Sequence, residues 1–350
     1  MDRLNFSSTE KIRVLMTGAG APGGPGIIKA LKQGPIDLFT GDCNPVASGR
    51  FLSEKFVELP KADSEDFIPF VLNFCLQNKV QVVFPLVTRE LFKFAEQKNA
   101  FLQNNIKVIV SDYESLSIAN DKGKLYTHLY QHSIPVPAFK IVSSFTAFEQ
   151  AVIELGYPEK AICIKPTVSN GSRGVRILQE EIDEFDLLFN HKPNNLYSTF
   201  DRIKTVLKSK AFPELLVSEY LPGEEFTVDT IVQNGEPKLI LPRVRTKMNG
   251  GISVQGTFIN HSEIITYCAD IIRSLNLSGP IGLQVKEDAN KKFRLLEINP
   301  RIQGTSVAAL GMGVNLPLLA VLQEFYPVDF DKLSIQWGRS FVRYYEELFY

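Results

Sequence analysis

The stretch that decides the fold is residues 279–306, GPIGLQVKEDANKKFRLLEINPRIQGTS. Apolar residues alternate with polar or small ones in residues 281–286. A similar alternation returns in residues 294–299, and this two-residue period is typical of β-strands. The polar residues between the runs predict a β-hairpin closed by a loop of two residues (290–291) or of four (288–291).

Either loop length would put three oxygen-bearing side chains on one face of the hairpin: Gln284, Glu297 and Asn299. Directly opposite residues lie about 5 Å apart and diagonal ones about 7–8 Å apart. A carboxylate and two amide oxygens at such spacings suit Mg²⁺, which completes its octahedron with water and phosphate oxygens. Arg301 adds a planar cation suited to a phosphoryl oxygen. The alternative interpretation is a solvated hairpin face.

Composition narrows the class of protein. The 350 residues allow two or three domains, and 38 Lys and Arg against 39 Asp and Glu leave no overall charge for nucleic acid or an anionic membrane. The four cysteines are far apart and predict neither a disulfide framework nor a zinc site. No signal peptide or apolar run of about 20 residues is present, so we expect a cytoplasmic protein.

A glycine-rich loop follows the first predicted strand. Residues 18–23 read GAGAPG and match G-x-G-x-x-G, and Asp42 ends the next strand at a position suited to a ribose contact. The loop is therefore either a dinucleotide site or a tight strand-to-helix turn. Because Pro22 and Pro25 lack backbone N–H groups, the turn is favoured. Strands and helices alternate from here to about residue 110, which predicts a parallel sheet.

Two lysines come next and suggest phosphate binding. Lys122 opens a predicted helix, where a cation opposes the helix dipole and must be solvated or held by an anion. Lys165 ends an apolar strand and precedes a Gly/Ser loop at residues 167–174. Such a loop can cover phosphates, although a plain hairpin connection remains the alternative. Glu219 and Glu225 bracket a Pro-Gly turn beside apolar residues, a setting that suits a nucleoside.

A basic segment lies further along the chain. Strand alternation would put Arg243, Arg245 and Lys247 on one face, just before the glycines that precede Ser253. The segment either receives an anionic substrate or solvates an edge strand, and the sequence favours neither.

The order and spacing of these segments resemble the ATP-grasp superfamily, most closely single ATP-grasp proteins similar to half of the carbamoyl phosphate synthetase large subunit. The strongest match is LLEINPRIQGTS at residues 295–306, and SEYLPGEEFTVD at residues 218–229 supports it. The resemblance implies an α/β protein: a pre-ATP-grasp domain with a doubly wound parallel sheet at residues 1–112, then an ATP-grasp domain of two α+β subdomains at residues 113–350. A lid subdomain is expected at about residues 138–217.

The resemblance also implies roles for residues. Gln284, Glu297 and Asn299 would hold Mg²⁺, with Mn²⁺ as the alternative ion, while Arg301 and Lys165 would act in catalysis. The two lysines and the loop would bind the ATP phosphates, Glu219 and the backbone beside it the adenine, and Glu225 the ribose. The residues implied for the nucleotide are Lys122, Lys165, Ser169, Gly171, Ser172, Gly174, Glu219, Tyr220, Leu221 and Glu225.

The activity that the resemblance implies is an ATP-dependent carboxylate–amine ligase that forms an amide through an acyl phosphate. The synthetases carry a histidine for carboxyphosphate chemistry near the position of Ser253, which argues against bicarbonate. The alternatives are a carbamoyl phosphate synthetase-like enzyme that uses bicarbonate, a nicotinamide-dependent oxidoreductase and a catalytically silent ATP-binding protein. We expect small-molecule carboxylate and amine substrates and neither nucleic acid nor a membrane as partner. A homodimer, and the identity of both substrates, are left open.

Overall fold

The computed structural model describes residues 11–169, 173–190 and 196–350. The contacts between residues divide the chain into two compact units. Unit 1 comprises the chain up to Ser117 together with Phe226–Gln284 and Ile298–Tyr350, and unit 2 comprises Ile118–Glu225 and Val285–Glu297. In the ranges that the structure describes, no helix combines the length and the apolar character that crossing a membrane requires.

The N-terminal part of unit 1 is a parallel sheet of five strands in the order β3-β2-β1-β4-β5. The strands are β1 (Ile12–Thr17), β2 (Ile36–Asp42), β3 (Phe56–Glu58), β4 (Val82–Pro85) and β5 (Lys107–Val108). The helices of this region are α1 (Gly24–Leu31), α2 (Phe67–Gln77), α3 (Thr88–Glu96), α4 (Lys98–Gln103) and α5 (Tyr113–Ala119).

Both faces of this sheet are covered by apolar side chains. Ile27 and Ile28 of α1 pack with Val14 on one face, and Phe67 of α2 and Phe94 of α3 pack with the residues of the other face. The predicted doubly wound parallel sheet is therefore confirmed. Residues 88–103 form two helices rather than one, because the chain breaks at Gln97 between α3 and α4.

Unit 2 contains a five-stranded mixed sheet in the order β6-β10-β7-β8-β9. Its elements are α6 (Lys122–Gln131), β6 (Phe139–Val142), α7 (Phe145–Glu154), β7 (Ile162–Pro166), β8 (Arg176–Leu178), α8 (Glu184–Phe189), β9 (Tyr197–Ser198), α9 (Phe200–Ser209) and β10 (Leu215–Glu219). The short strand β9 lies between α8 and α9 in the chain and pairs with β8.

A third sheet has six strands in the order β15-β14-β11-β12-β13-β16. The strands are β11 (Glu225–Gln233), β12 (Glu236–Asn249), β13 (Ile252–Phe258), β14 (Gly279–Glu287), β15 (Phe293–Asn299) and β16 (Ser340–Val342), with the helices α10 (Ser262–Leu275) and α11 (Leu316–Leu322). Helix α11 is only seven residues long, because the 3-10 helix before it ends at Met312 and Gly313 adopts φ +86°. The aromatic segment at residues 337–345 contributes only the short edge strand β16.

The predicted hairpin forms as β14 and β15, but its turn differs from both predicted loops. Asp288 N donates to Lys292 O at 2.8 Å, Lys291 N donates to Asp288 O at 3.1 Å, and Lys291 has φ 60°. This is a three-residue loop, 289–291, with a left-handed residue at its end. The Asp288 carboxylate stabilises it by accepting from the amides of Asn290 and Lys292. The prediction that Gln284 and Glu297 share a face required a loop with an even number of residues. The observed loop has three residues, so it does not support that prediction.

Candidate active site

Lys122 stands at the first position of α6 and is buried. The Asp121 carboxylate caps the helix by accepting from the amides of Gly123 and Lys124 at 2.9 and 3.1 Å. Lys122 is only 6% exposed, and its Nζ lies 3.5 Å from a carboxylate oxygen of Glu297. Burial lowers the pKa of Lys122, and the Glu297 charge opposes that effect. The lysine is therefore held by an anion, which is one of the two states expected for a cation at a helix start.

Lys165 is the next-to-last residue of β7 and is buried to the same extent as Lys122. Its Nζ donates to the carbonyl oxygen of Leu296 at 3.1 Å and lies 3.4 Å from the hydroxyl of Tyr126. Burial lowers the pKa of Lys165 as well, with the charges of Cys163 and Glu297 acting in the opposite direction. Unit 2 thus brings two buried lysines to the strand that carries Glu297.

Tyr126 is a site residue that the sequence analysis missed. It is fully buried, donates to Leu295 O at 2.6 Å, and its ring centroid lies 5.2 Å from Lys165 Nζ. Its position one helical turn after Lys122 could have revealed it, because residues four apart share a helix face. Tyr126 therefore fixes β15 against α6 and supports the ammonium group of Lys165.

The loop predicted to cover phosphates is described at its two ends. Ser169 O accepts from Lys122 Nζ at 3.1 Å, which ties the start of the loop to the lysine. Gly174 adopts φ +79°, and a Cβ there would meet the Pro166 ring at 2.7 Å, so glycine is required. Gly171 and Ser172 lie outside the described residues.

The segment expected to read the nucleoside follows β10. The Glu219 carboxylate accepts from the Ala138 amide at 3.1 Å, and the Tyr220 amide donates to Ala161 O at 3.2 Å. Both groups therefore have partners within unit 2. Leu221 is buried and Glu225, at the start of β11, is half-buried.

Lys286 is a second residue that the sequence analysis did not single out. Its Nζ lies 5.0 Å from the ring centroid of Tyr220. The turn of the hairpin is joined to the same segment, because Gly223 N donates to Glu287 O at 3.1 Å and Glu287 N donates to Glu224 O at 3.0 Å. Lys286 could have been found from the sequence by its position on the predicted strand, two residues after Gln284.

The other predicted ligands and Arg301 are distributed between the units. Glu297 belongs to unit 2, with its side chain 33% exposed, whereas Gln284 and Asn299 are half-buried residues of unit 1. Arg301 also lies in unit 1, where its Nε donates to Thr88 Oγ1 at 3.1 Å and its Nη1 to Ile302 O at 2.9 Å. Glu297 and Asn299 are two residues apart on one strand and therefore share a face.

Backbone amides of the glycine-rich loop in unit 1 donate hydrogen bonds to acceptors within the chain. Ala19 N donates to Gly41 O, Ala21 N to Gly18 O and Gly24 N to Ala21 O, at 2.7–3.0 Å. The Asp42 carboxylate accepts from Gly20 N at 2.7 Å, so the acid suited to a ribose instead closes the loop. This geometry favours the tight turn over the dinucleotide site.

Glu90 of α3 is a buried carboxyl group near this turn. It accepts from Thr17 Oγ1 at 2.5 Å. Burial raises the pKa of Glu90 from 4.5 to about 7; the Thr17 hydrogen bond opposes the rise and the Asp42 charge adds to it. Between pH 4.5 and 7 the unfolded chain loses a proton that the folded chain keeps, so this group makes the fold less stable as pH rises.

Glu90→Gln should therefore stabilise the protein above pH 7 and remove this pH dependence. A pKa rise from 4.5 to about 7 corresponds to about 3 kcal/mol. Urea midpoints at pH 5 and pH 8 measure the change. Glu96→Gln, at an exposed position of the same helix, is the matched control and should keep the parental pH dependence. Equal pH dependence in Glu90→Gln and the parent would contradict the assignment.

The basic segment in β12 does not keep its predicted alternation. The pairing of β12 with β13 shifts between Arg245 and Lys247, so Arg245 is opposite Gly256 whereas Lys247 is opposite Gln255. This bulge turns Lys247 to the other face, where it is exposed, and the expected three-residue basic face is wrong. Arg243 is 1% exposed and Arg245 half-buried, with its Nε donating to the buried Ser253 hydroxyl at 3.1 Å.

Two family models match parts of the chain. The model described as "ATP-grasp in the biosynthetic pathway with Ter operon" matches residues 211–333, and the model "PylC-like, N-terminal domain" matches residues 14–109. The carbamoyl phosphate synthase large chain of Clostridium acetobutylicum is 25% identical over 234 residues. That match covers 63% of this chain and 20% of the synthase, so the chain spans about a fifth of the length of this curated relative.

Solved structures show the same architecture. N5-carboxyaminoimidazole synthetase from Staphylococcus aureus, complexed with ADP, superposes with a TM-score of 0.68 at 16% identity, over 93% of this chain and 81% of that one. L-amino acid ligase from Bacillus licheniformis superposes with a TM-score of 0.66 at 14% identity, over 95% and 79%. The resemblance drawn from the sequence is confirmed. The chain therefore has the ATP-grasp fold, and it is similar to a PylC-like N-terminal domain in residues 14–109 and to an ATP-grasp family model in residues 211–333.

Proposed function

We propose that the protein is an ADP-forming ligase that joins a carboxylate to an amine at the expense of ATP. The observation that carries the proposal is the pair of buried lysines in unit 2, Lys122 and Lys165. Burial makes the charged form of each lysine costly, as their lowered pKa values show. A polyanion such as a triphosphate would offset that cost by supplying charge-assisted hydrogen bonds.

The residues also suit the rest of a magnesium nucleotide. Glu297 supplies a carboxylate and Asn299 an amide oxygen on one face of β15, which are ligands of the kind Mg²⁺ takes, and the family resemblance adds Gln284. When bound, the ion would polarise the phosphates as a Lewis acid. Lys165 would hold a phosphate oxygen, and Arg301 would neutralise charge on the transferred phosphoryl group.

The nucleoside would be read by the segment after β10. Because the Tyr220 amide already donates to Ala161, an adenine contact at Tyr220 would use its carbonyl oxygen, with Leu221 beside it. The Glu219 carboxylate retains one oxygen besides the one that Ala138 occupies, and this oxygen would accept from an exocyclic amine. Glu225 would take the ribose hydroxyls.

Bicarbonate is the second candidate for the carboxylate substrate. The similarity to carbamoyl phosphate synthase large chains favours it. Ser253, buried and bonded to Arg245, argues against it because it offers no imidazole. ATP hydrolysis that requires bicarbonate and no other carboxylate would support this reading over the general ligase.

Thermal unfolding and a substrate screen test the proposal. A ligand that binds only the folded chain raises its stability by mass action, so Mg-ATP should raise the midpoint and NAD should not. ADP release should then depend on adding one carboxylate and one amine from a panel of amino acids, hydroxy acids and amines. Mg-ATP stabilisation without ADP release for any pair would instead identify a silent ATP-binding protein.

Glu297→Gln should lower ADP formation by about 100-fold or more while the chain stays folded. The amide keeps the size of the side chain but removes the charge, and a metal supplies several kcal/mol of charge stabilisation. Steady-state ADP formation at several Mg²⁺ concentrations measures the loss. Glu214→Gln, at an exposed position before β10, is the control and should retain the parental rate. A folded Glu297→Gln protein with the parental rate would remove Glu297 from the site.

A further inference from the structure

Three arginines, Arg243, Arg245 and Arg343, lie near one another at the six-stranded sheet within unit 1. In the strand register, Arg245 is opposite Gly256, which is in turn opposite Phe341. Arg243 precedes Arg245 by two residues, and Arg343 follows Phe341 by two residues. Since residues two apart on a strand share a face, Arg243 and Arg245 lie on the side of the sheet that carries Phe341. Arg343 lies one residue beyond β16, and its charge acts on Arg243. Arg243 Cζ lies 5.8 Å from the centroid of that ring.

The charge around Arg243 is unbalanced. Its Nε donates to the Asp229 carboxylate at 3.1 Å, and both side chains are 2% exposed. Burial lowers the pKa of Arg243 most; the Asp229 charge opposes this, whereas the Arg245 and Arg343 charges lower the pKa further. Of the charges that shift the pKa of Arg243, one is a carboxylate and two are guanidinium groups.

The Asp229 carboxylate has little hydrogen-bonding capacity left for Arg245 and Arg343. Its other oxygen accepts from the Ser306 hydroxyl and from Gln303 Nε2, at 2.5 and 3.2 Å. Arg245 Nη2 donates to Gly251 O, and Arg343 Nη2 donates to Pro22 O at 3.1 Å. These carbonyl acceptors orient the two guanidinium groups.

The decisive atom is Nη1 of Arg243. It is buried and has no hydrogen-bond partner among the described residues. An unsatisfied buried donor costs about 1–3 kcal/mol, and more when the group is charged, so such an atom calls for an explanation. A hydrogen-bond acceptor that belongs to a bound ligand would explain this unsatisfied donor.

We propose that Arg243, with Arg245 and Arg343, forms a subsite for an oxyanion group of the substrate, a carboxylate or a phosphate. The inference rests on the proposed ligase function and names the substrate as an anion. Nη1 of Arg243 donates to the oxyanion, and the half-buried Arg245 and Arg343 add charge at the entrance. Asp229 acts as a positioning residue: it fixes Arg243 and, through Gln303 and Ser306, the segment that follows Arg301.

Thermal unfolding of the full chain without nucleotide tests the subsite directly. The probes are sodium succinate for a carboxylate, inorganic phosphate for a phosphate, and sodium chloride at matched ionic strength as the control. We expect succinate, phosphate or both to raise the midpoint well beyond chloride. Succinate alone identifies a carboxylate subsite, and phosphate alone identifies a phosphate subsite.

Two variants test which arginines bind the anion. Arg243→Lys keeps a charge but loses the forked donors, and Arg343→Gln removes one of the half-buried cations. Each should weaken the apparent affinity for the anion at least 10-fold. If Arg243→Lys does not fold, Arg343→Gln decides. Lys140→Met, at a surface position of unit 2, should keep the parental response. Loss of the anion response in Lys165→Met but not in Arg343→Gln would move the anion to the lysines and overturn the proposal.

Two further results would overturn it: no anion exceeding chloride, or unchanged affinity in Arg343→Gln. The outcome is separable from that of the proposed function. Mg-ATP stabilisation depends on Lys122 and Lys165, whereas the anion response is measured without nucleotide and depends on the arginines. A protein that responds to Mg-ATP but to neither anion would retain the ligase proposal and lose the subsite.

Discussion

Lys165→Met should make the ligand-free protein more stable and abolish its stabilisation by Mg-ATP. Burial lowers the pKa of Lys165, and its Nζ donates to a carbonyl and approaches a hydroxyl rather than a carboxylate. Methionine has a similar length and carries no charge, so the cost of burying the ammonium group disappears. An increase in stability combined with a loss of binding is typical of a residue kept for function.

The binding loss should be large. Removing one partner of a buried charged contact costs about 2–5 kcal/mol, which is about 30- to 5,000-fold in affinity. Titration calorimetry with Mg-ATP and thermal unfolding without ligand measure the two effects separately. Lys140→Met is the matched control in the same unit, because Lys140 is half exposed and pairs with Glu154 at the surface. Lys165→Met with parental affinity would exclude Lys165 from the nucleotide site.

Local periodicity predicted the elements that carry the site. The β14–β15 hairpin and the five parallel strands follow from alternation and apolar runs, because those patterns reflect which faces are buried. For Lys122 the sequence left two states open, a solvated cation or one held by an anion, and the structure shows the second, with Glu297 3.5 Å away. These predictions needed only short windows of sequence.

The sequence did not predict features that depend on turn chemistry. The hairpin loop has three residues because the Asp288 carboxylate accepts two amides and Lys291 adopts a left-handed conformation. Lysine is not a residue that such a position usually selects, so the even loops were the natural expectation. A difference of one residue changes which side chains share a face, and the placement of Gln284 is what it affects.

The sequence also did not predict which residues distant along the chain pair with each other. Arg243 and Asp229 are 14 residues apart on neighbouring strands, and Ser306 is 77 residues from Asp229. Alternation alone treated Arg243 and Lys247 as equivalent, although a bulge buries the first and exposes the second. The arginine subsite therefore becomes visible only when the register of three strands is known.

Asp229→Leu should destabilise the protein by about 3–5 kcal/mol, the range for breaking a buried ion pair on one side. The loss leaves the Arg243 charge buried without its carboxylate, and it also removes the acceptor of Gln303 and Ser306. Urea midpoints measure the change. Glu236→Gln breaks an exposed pair with Arg273 of the same 3.1 Å length and should cost less than about 1 kcal/mol.

The double variant Asp229→Leu with Arg243→Met shows where the cost arises. If the unpaired charge dominates, removing Arg243 as well should recover most of the loss, because apolar replacements of buried ion pairs are often neutral or stabilising. The remaining cost should be about 1–3 kcal/mol, from the donors of Gln303 and Ser306 left without an acceptor. A double variant as unstable as Asp229→Leu would mean that Asp229 stabilises the fold through Gln303 and Ser306. Recovery would instead show that Asp229 is required chiefly because Arg243 is there, which is expected when the arginine is retained for an anion rather than for packing.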